Sequence, residues 1–206
     1  MRKNLILLAL VFFSTATFAQ LSWNAKVGMN VSNLYGKSVE NSKARVGIKA
    51  GVGAEYAFTK MWSIQPSLFF STKGAKYSES TGNASASVKV NEMYLELPVN
   101  AQARFAVTDG INITVAAGPY FAVGVGGKRK VTAESGSFYA SSDMKTFGDN
   151  GFDRFDFGLG VGVGAEFGRI MVGLDGQWGL TKLASYTNAP KNINFSITLG
   201  YKFNMW

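Results

Sequence analysis

The chain has 206 residues, a formal net charge of +8, 24 Gly, and neither Cys nor His. Its length suits one domain with a sizeable core or one closed barrel. Without Cys there is no disulfide framework or thiolate chemistry, and without His the commonest general base and metal ligand are missing, so no catalytic, cofactor-binding or metal residues are expected.

The N-terminus opens with Arg2 and Lys3, continues as an apolar run from Leu5 to Phe13, and reaches small residues around Thr17-Phe18-Ala19. That is the plan of a secretory signal peptide, and the run is too short for a spanning helix. Residues 1–19 are therefore expected to be removed before Gln20, leaving residues 20–206 as one exported domain. Loss of Arg2 and Lys3 leaves this domain basic. Export argues against nucleic acid as the partner, and anionic lipid headgroups or acidic glycans suit the compartment better.

From Trp23 onward the chain reads with period two in eight runs. The first sets Trp23, Ala25, Val27, Met29 and Val31 against Asn24, Lys26, Gly28, Asn30 and Ser32. The second has Ala44, Val46, Ile48, Ala50, Val52, Ala54 and Tyr56 on one face, with Arg45, Lys49 and Glu55 on the other. In the third, Trp62, Ile64, Pro66, Leu68 and Phe70 alternate with Ser63, Gln65, Ser67, Phe69 and Ser71. The fourth carries Met93 through Phe105 at odd positions, against Glu92, Tyr94, Glu96, Asn100, Gln102 and Arg104. The apolar faces of the fifth and sixth start at Ile111 and Phe155. Those of the seventh and eighth start at Ile170 and Phe195. Each run has roughly the 9–11 residues that a tilted strand needs to cross a bilayer.

The connections alternate in length. Ala57-Phe58-Thr59-Lys60, Thr108-Asp109-Gly110 and Gly168-Arg169 are tight turns with suitable turn residues. The segments at about 33–43, 74–91, 125–153 and 182–192 are longer, and rich in Ser, Gly, Asn and Lys. Short turns on one side and long loops on the other are the plan of an outer-membrane barrel, with the loops external and both termini periplasmic. The expected fold is all-β, an eight-stranded antiparallel up-and-down transmembrane β-barrel.

The polar faces carry charge of both signs: Lys26, Arg45, Lys49, Glu55, Lys73, Glu92, Glu96, Arg104, Asp156, Glu166, Asp175 and Lys202. Acids and bases are equally represented, which suits pairing in a narrow lumen as a structural charge network. Several apolar faces end in an aromatic residue, among them Tyr56, Trp62, Phe105, Phe167 and Tyr201, as expected of girdles at the lipid–water boundary. A soluble periplasmic ligand-binding barrel would instead turn the apolar faces inward.

Gly160-Val161-Gly162-Val163-Gly164-Ala165 matches a dinucleotide-binding fingerprint on paper. That motif needs a strand before it and a helix after it. Here it lies inside an alternating run and another strand follows, so the glycines read as lumenal space or points of curvature.

With these residues in view, the chain resembles the PorT-like outer-membrane β-barrel family over nearly all of residues 20–206. Lys26-x-Gly28-x-Asn30 resembles its first strand, Ile64-Gln65-Pro66-Ser67-Leu68 with Lys73-Gly74 a later one, and Tyr94-Leu95-Glu96-Leu97-Pro98-Val99 its most specific segment. Gly118-Pro119-Tyr120, Asp156-x-Gly158 and the closing Leu199-Gly200-Tyr201-Lys202-Phe203 also match, although Asn204-Met205-Trp206 extends beyond the usual end. The resemblance implies no activity. The family's namesake is linked to a secretion and gliding machinery, and a shared fold does not transfer that role.

The leading expectation is a non-enzymatic structural or interaction barrel in the bacterial outer membrane, its wall in lipid. The terminal strand resembles the signal read by the barrel assembly machinery during biogenesis. Its external loops, above all Lys128-Arg129-Lys130 in the segment 125–153, are candidates to meet a protein or glycan partner. The alternatives are a narrow channel for ions or small solutes and the soluble ligand-binding barrel. A membrane enzyme is disfavoured for lack of His.

Overall fold

A computed structural model describes residues 20–36, 39, 42–81, 84–135, 138–148, 151–184, 186 and 188–203. The expected leader at 1–19 and the extension Asn204-Met205-Trp206 lie outside the described residues. The strands are β1 Gln20–Tyr35, β2 Lys43–Ala57, β3 Trp62–Thr81, β4 Ala84–Thr108 and β5 Ile111–Gly126. They continue with β6 Lys128–Ser135, β7 Phe138–Lys145, β8 Phe155–Phe167, β9 Ile170–Gly179 and β10 Lys191–Lys202. Eight of them close a ring in the order β3-β2-β1-β10-β9-β8-β5-β4, with β4 returning to β3, and every pairing is antiparallel. Closure removes the sheet edges that hydrocarbon cannot tolerate.

Alternation sets the two faces of this wall. Val27, Ile48, Leu68, Val163 and Leu199 are all more than half exposed on the outside, while Ser22, Asn24, Asn30, Asn194 and Thr198 are buried inside. A soluble barrel would show the reverse, so the ligand-binding alternative with its apolar lining is overturned. The outer face is a lipid-contacting band. At the short-turn rim Trp62, Phe105, Phe167 and Tyr201 remain exposed, with Tyr56 packed edge-on against Phe58 at 5.1 Å between ring centres. At the other rim Trp178 meets Phe195 edge-on at 5.9 Å.

The tight turns fall where the sequence places them. Gly110 at φ +79° and Gly168 at φ +58° occupy the left-handed region that a hairpin of this length needs.

The long connections are not all loops. Segment 74–91 continues as strand, because β3 runs to Thr81 and β4 begins at Ala84. Within 125–153, β6 continues the path of β5 and pairs with the upper part of β4, and β7 folds back onto β6. The ring therefore carries a sheet of β3, β4, β6 and β7 that rises beyond the apolar band on the long-loop side.

Candidate functional site

The interior is filled in layers. Nearest the short turns, the Arg104 guanidinium donates to Glu55 at 2.6 Å and to both carboxylate oxygens of Glu166, at 2.9 and 3.0 Å. The Lys202 ammonium joins the same two acids, at 3.0 Å from Glu55 and 3.1 Å from Glu166. Two bases and two acids thus form a closed quartet, and Glu55 is fully buried in it. Three strands of the ring and the last residue of β10 converge here. A cavity of about 260 Å³ lined by Lys60, Arg104, Glu166 and Lys202 opens the quartet to the short-turn side.

In the next layer Lys26 donates to Gln65 at 3.1 Å, and Asp175 lies within electrostatic reach of its ammonium. Two voids of about 40 and 30 Å³ flank it, lined by Asn100, Gln65 and Asp175 among others. Each has room for about one or two waters. The glycines of β8 make this packing fit. A Cβ on Gly158 would strike the Tyr120 ring, and one on Gly162 would reach the Asp175 carboxylate. These glycines give their space to long side chains from neighbouring strands.

Midway, Glu96 pairs with Lys73 and lies 3.9 Å from Lys49. Both ammonium groups also sit over aromatic rings, Lys49 at 4.5 Å from the Phe69 centre and Lys73 at 4.8 Å from that of Tyr120. Above them Asp156 accepts hydrogen bonds from Tyr120 at 3.1 Å, Asn192 at 3.0 Å and Thr181 at 2.9 Å. Glu92 is fully buried at this level, against Asn192 and Tyr94. Arg45 donates to the Lys73 carbonyl at 2.8 Å and to Asn91 at 2.7 Å.

The structure thus brings Glu55, Arg104, Glu166 and Lys202 into one cluster and Lys49, Lys73 and Glu96 into a second. Lys26 with Asp175 forms a third, and Asp156 with Glu92 a fourth. Arg45 stands apart, bonded to a carbonyl and an amide.

The long-loop mouth is closed by apolar side chains from outside the ring strands. Phe147 packs edge-on against Tyr94 at 5.3 Å between ring centres. Leu183 is fully buried against Leu34 and Ala75, and Phe152 touches both groups. Backbone bonds hold the two loop segments together, with the Asp153 amide donating to the Leu183 carbonyl at 2.8 Å. Sequence reasoning missed this lid. Phe147, Phe152 and Leu183 stand in irregular segments where no periodicity marks a buried face. Tyr94, Tyr120 and Asn192 could have been found, because they occupy inward positions of their strands.

The basic triplet lies on β6 rather than on a loop. Alternation splits it: Lys128 and Lys130 are exposed on the outer face, while Arg129 is half-buried on the inner face, 5.5 Å from the centre of the Phe152 ring.

The profile of the family described as "Outer membrane protein beta-barrel domain" matches residues 18–185. Among solved structures, the chain is similar to Ail of Yersinia pestis in complex with the heparin analogue sucrose octasulfate, at 13% identity and a TM-score of 0.42, covering 89% of this chain and 99% of that one. It is also similar to Neisserial surface protein A, at 9% identity and a TM-score of 0.44, covering 89% and 97%. OprG of Pseudomonas aeruginosa shares 13% identity at a TM-score of 0.46, covering 91% and 98%. No curated protein sequence matches significantly.

Proposed function

We propose that this chain, which belongs to the outer membrane protein beta-barrel domain family, is a closed, non-enzymatic anchor that acts through its external surface. The observation that carries this reading is the sequence of plugs along the axis. An ion-pair quartet lies at one end, charged and hydrogen-bonded layers in the middle, and an apolar lid at the other. An eight-stranded interior is only just wide enough for its side chains, and the voids of about 40 and 30 Å³ beside Lys26 have the size of a water or two rather than of a path.

In this reading residues 1–19 direct export and are cleaved, and the barrel assembly machinery inserts residues 20–206. The twelve charged residues of the polar faces serve as a structural network that keeps those faces inward. The β6–β7 hairpin, with Lys128 and Lys130 on the outward face of its base and Arg129 on the inner side, meets an anionic partner outside. The PorT-like segments around Tyr94–Val99 and Leu199–Phe203 support a place among those barrels, with no secretion role implied.

The test is single-channel recording of refolded protein in a planar bilayer, restricted to material with a heat-modifiable gel shift. The expected result is a silent barrel. Stable, reproducible conductance steps would refute the plugged reading. The surface role is checked separately by deleting residues 127–150, which is expected to leave the gel shift intact while abolishing retention on a polyanionic matrix.

A further inference from the structure

Cross-strand register brings together lysines that the sequence scatters. Lys43 on β2 stands opposite Lys76 on β3, Lys76 opposite Lys89 on β4, and Lys89 opposite Lys130 on β6. Direct partners in an antiparallel sheet share a face, about 5 Å apart, so these four ammonium stems form one row roughly 15 Å long. Lys128 and Lys145, also paired, widen the row one step closer to the membrane, and Asp143 opposite Lys130 is the acid at its end. All six lysines are exposed, and none takes part in the ion pairs found among the described residues.

Like charges set directly opposite one another repel and destabilise a sheet. A fold that builds such a row across four strands has a use for the positive field it creates.

The position of the row says what neutralises it. Phe70 and Leu95 are partners in the lipid-facing band, and the register runs from them to Lys76 and Lys89 without a bulge. The lysines therefore share the outward face with the band. Lys89 lies four residues, or about 13 Å of strand, beyond Met93. Strand tilt makes that about 10 Å of height, a level expected to lie at the polar headgroups rather than in hydrocarbon. The opposite face at this level is occupied by Val90, Ala75 and Arg129, packed over the lid.

We propose that the outward face at the base of this sheet is a binding site for the phosphate groups of an outer-leaflet glycolipid. The lysine row holds them laterally against the wall. The inference rests on the reading that the long connections face outward, and it is independent of whether the lumen conducts.

The experiment titrates refolded full-length mature barrel in zwitterionic nanodiscs with labelled diphosphoryl lipid A, alongside its dephosphorylated form. The decisive variant is Lys76→Gln/Lys89→Gln/Lys130→Gln, compared with the corresponding triple Arg variant and with Lys60→Gln at the opposite rim. At about fivefold per lysine, the Gln triple is expected to weaken binding of the phosphorylated lipid on the order of a hundredfold. The Arg triple and Lys60→Gln should bind as the parent does. All variants should keep the heat-modifiable shift, because the row carries no internal pairing to lose. Equal binding of the two lipid forms, or undiminished binding by the Gln triple, would overturn the proposal. So would a Gln-sensitive interaction seen only with a soluble polysulfated oligosaccharide, which would make an acidic glycan the occupant.

Discussion

Arg104→Met tests how the lumen is held. The guanidinium forks between Glu55 and Glu166, with Lys202 the second cation on the same two carboxylates. Removing it leaves two buried acids to share one ammonium. Stripping one partner from a fully buried ion pair costs about 3–5 kcal/mol. Two features of this site place the cost at the lower end. Lys202 still compensates part of the charge, and the cavity of about 260 Å³ beside Arg104 lets water reach the quartet. The expected loss is therefore about 3 kcal/mol, roughly a hundredfold in the folding equilibrium.

Arg104→Lys keeps the charge but reaches only one acid at a time, so it should fall between parent and Met variant. The double variant Arg104→Met/Glu55→Gln removes one base and one acid together, and should recover part of the loss by restoring balance between Lys202 and Glu166. The assay is urea unfolding in lipid vesicles, followed by tryptophan fluorescence and by the fraction of heat-modifiable band. An Arg104→Met protein within about 0.5 kcal/mol of the parent, or a double variant as unstable as the sum of its singles, would refute the argument.

Three further substitutions probe the packing. Leu183→Ala should cost about 2–3 kcal/mol locally, seen as faster proteolysis of the segment around 146–154 in a barrel that still shows its gel shift, because Leu183 belongs to the lid and not to the ring. Gly158→Val should abolish the heat-modifiable form, since a Cβ there meets the Trp178 carbonyl and the Tyr120 ring. Gly126→Ala should be tolerated, its new Cβ finding the Met93 sulfur at an ordinary 3.6 Å.

The ring was legible in the sequence because lipid imposes a rule on every outward position. Val27, Ile48, Leu95 and Leu199 had to be apolar, so their neighbours had to be the lumen, and period two follows. Above the membrane that rule lapses. Ala84-Ser85-Ala86-Ser87 offers only an alternation of small residues and Lys128-Arg129-Lys130 no apolar residue at all, although backbone pairing continues through both. Their extended form comes from propagation of the ladder below them. Alternation also tells which side a charge occupies but not whom it meets. Glu166 finds Arg104 across sixty-two residues of chain only because β5 lies between β4 and β8 in the ring.

The same dependence explains how the lysine row can exist without a sequence motif. Its members belong to four strands, and nothing in the spacing of Lys43, Lys76, Lys89 and Lys130 marks them as neighbours. What aligns them is the register locked lower down, where each outward side chain must meet lipid and each inward one must fit the charged lumen. A slip of one residue there would turn Leu95 into the lumen and Glu96 into hydrocarbon. The cost of such a slip falls in the membrane, but its consequence reaches the surface, where Lys89 would leave the row and Val90 would replace it. The membrane wall thus fixes the external pattern, and the outer face of β3 and β4 can carry like charges side by side because the strands beneath do not let them move apart.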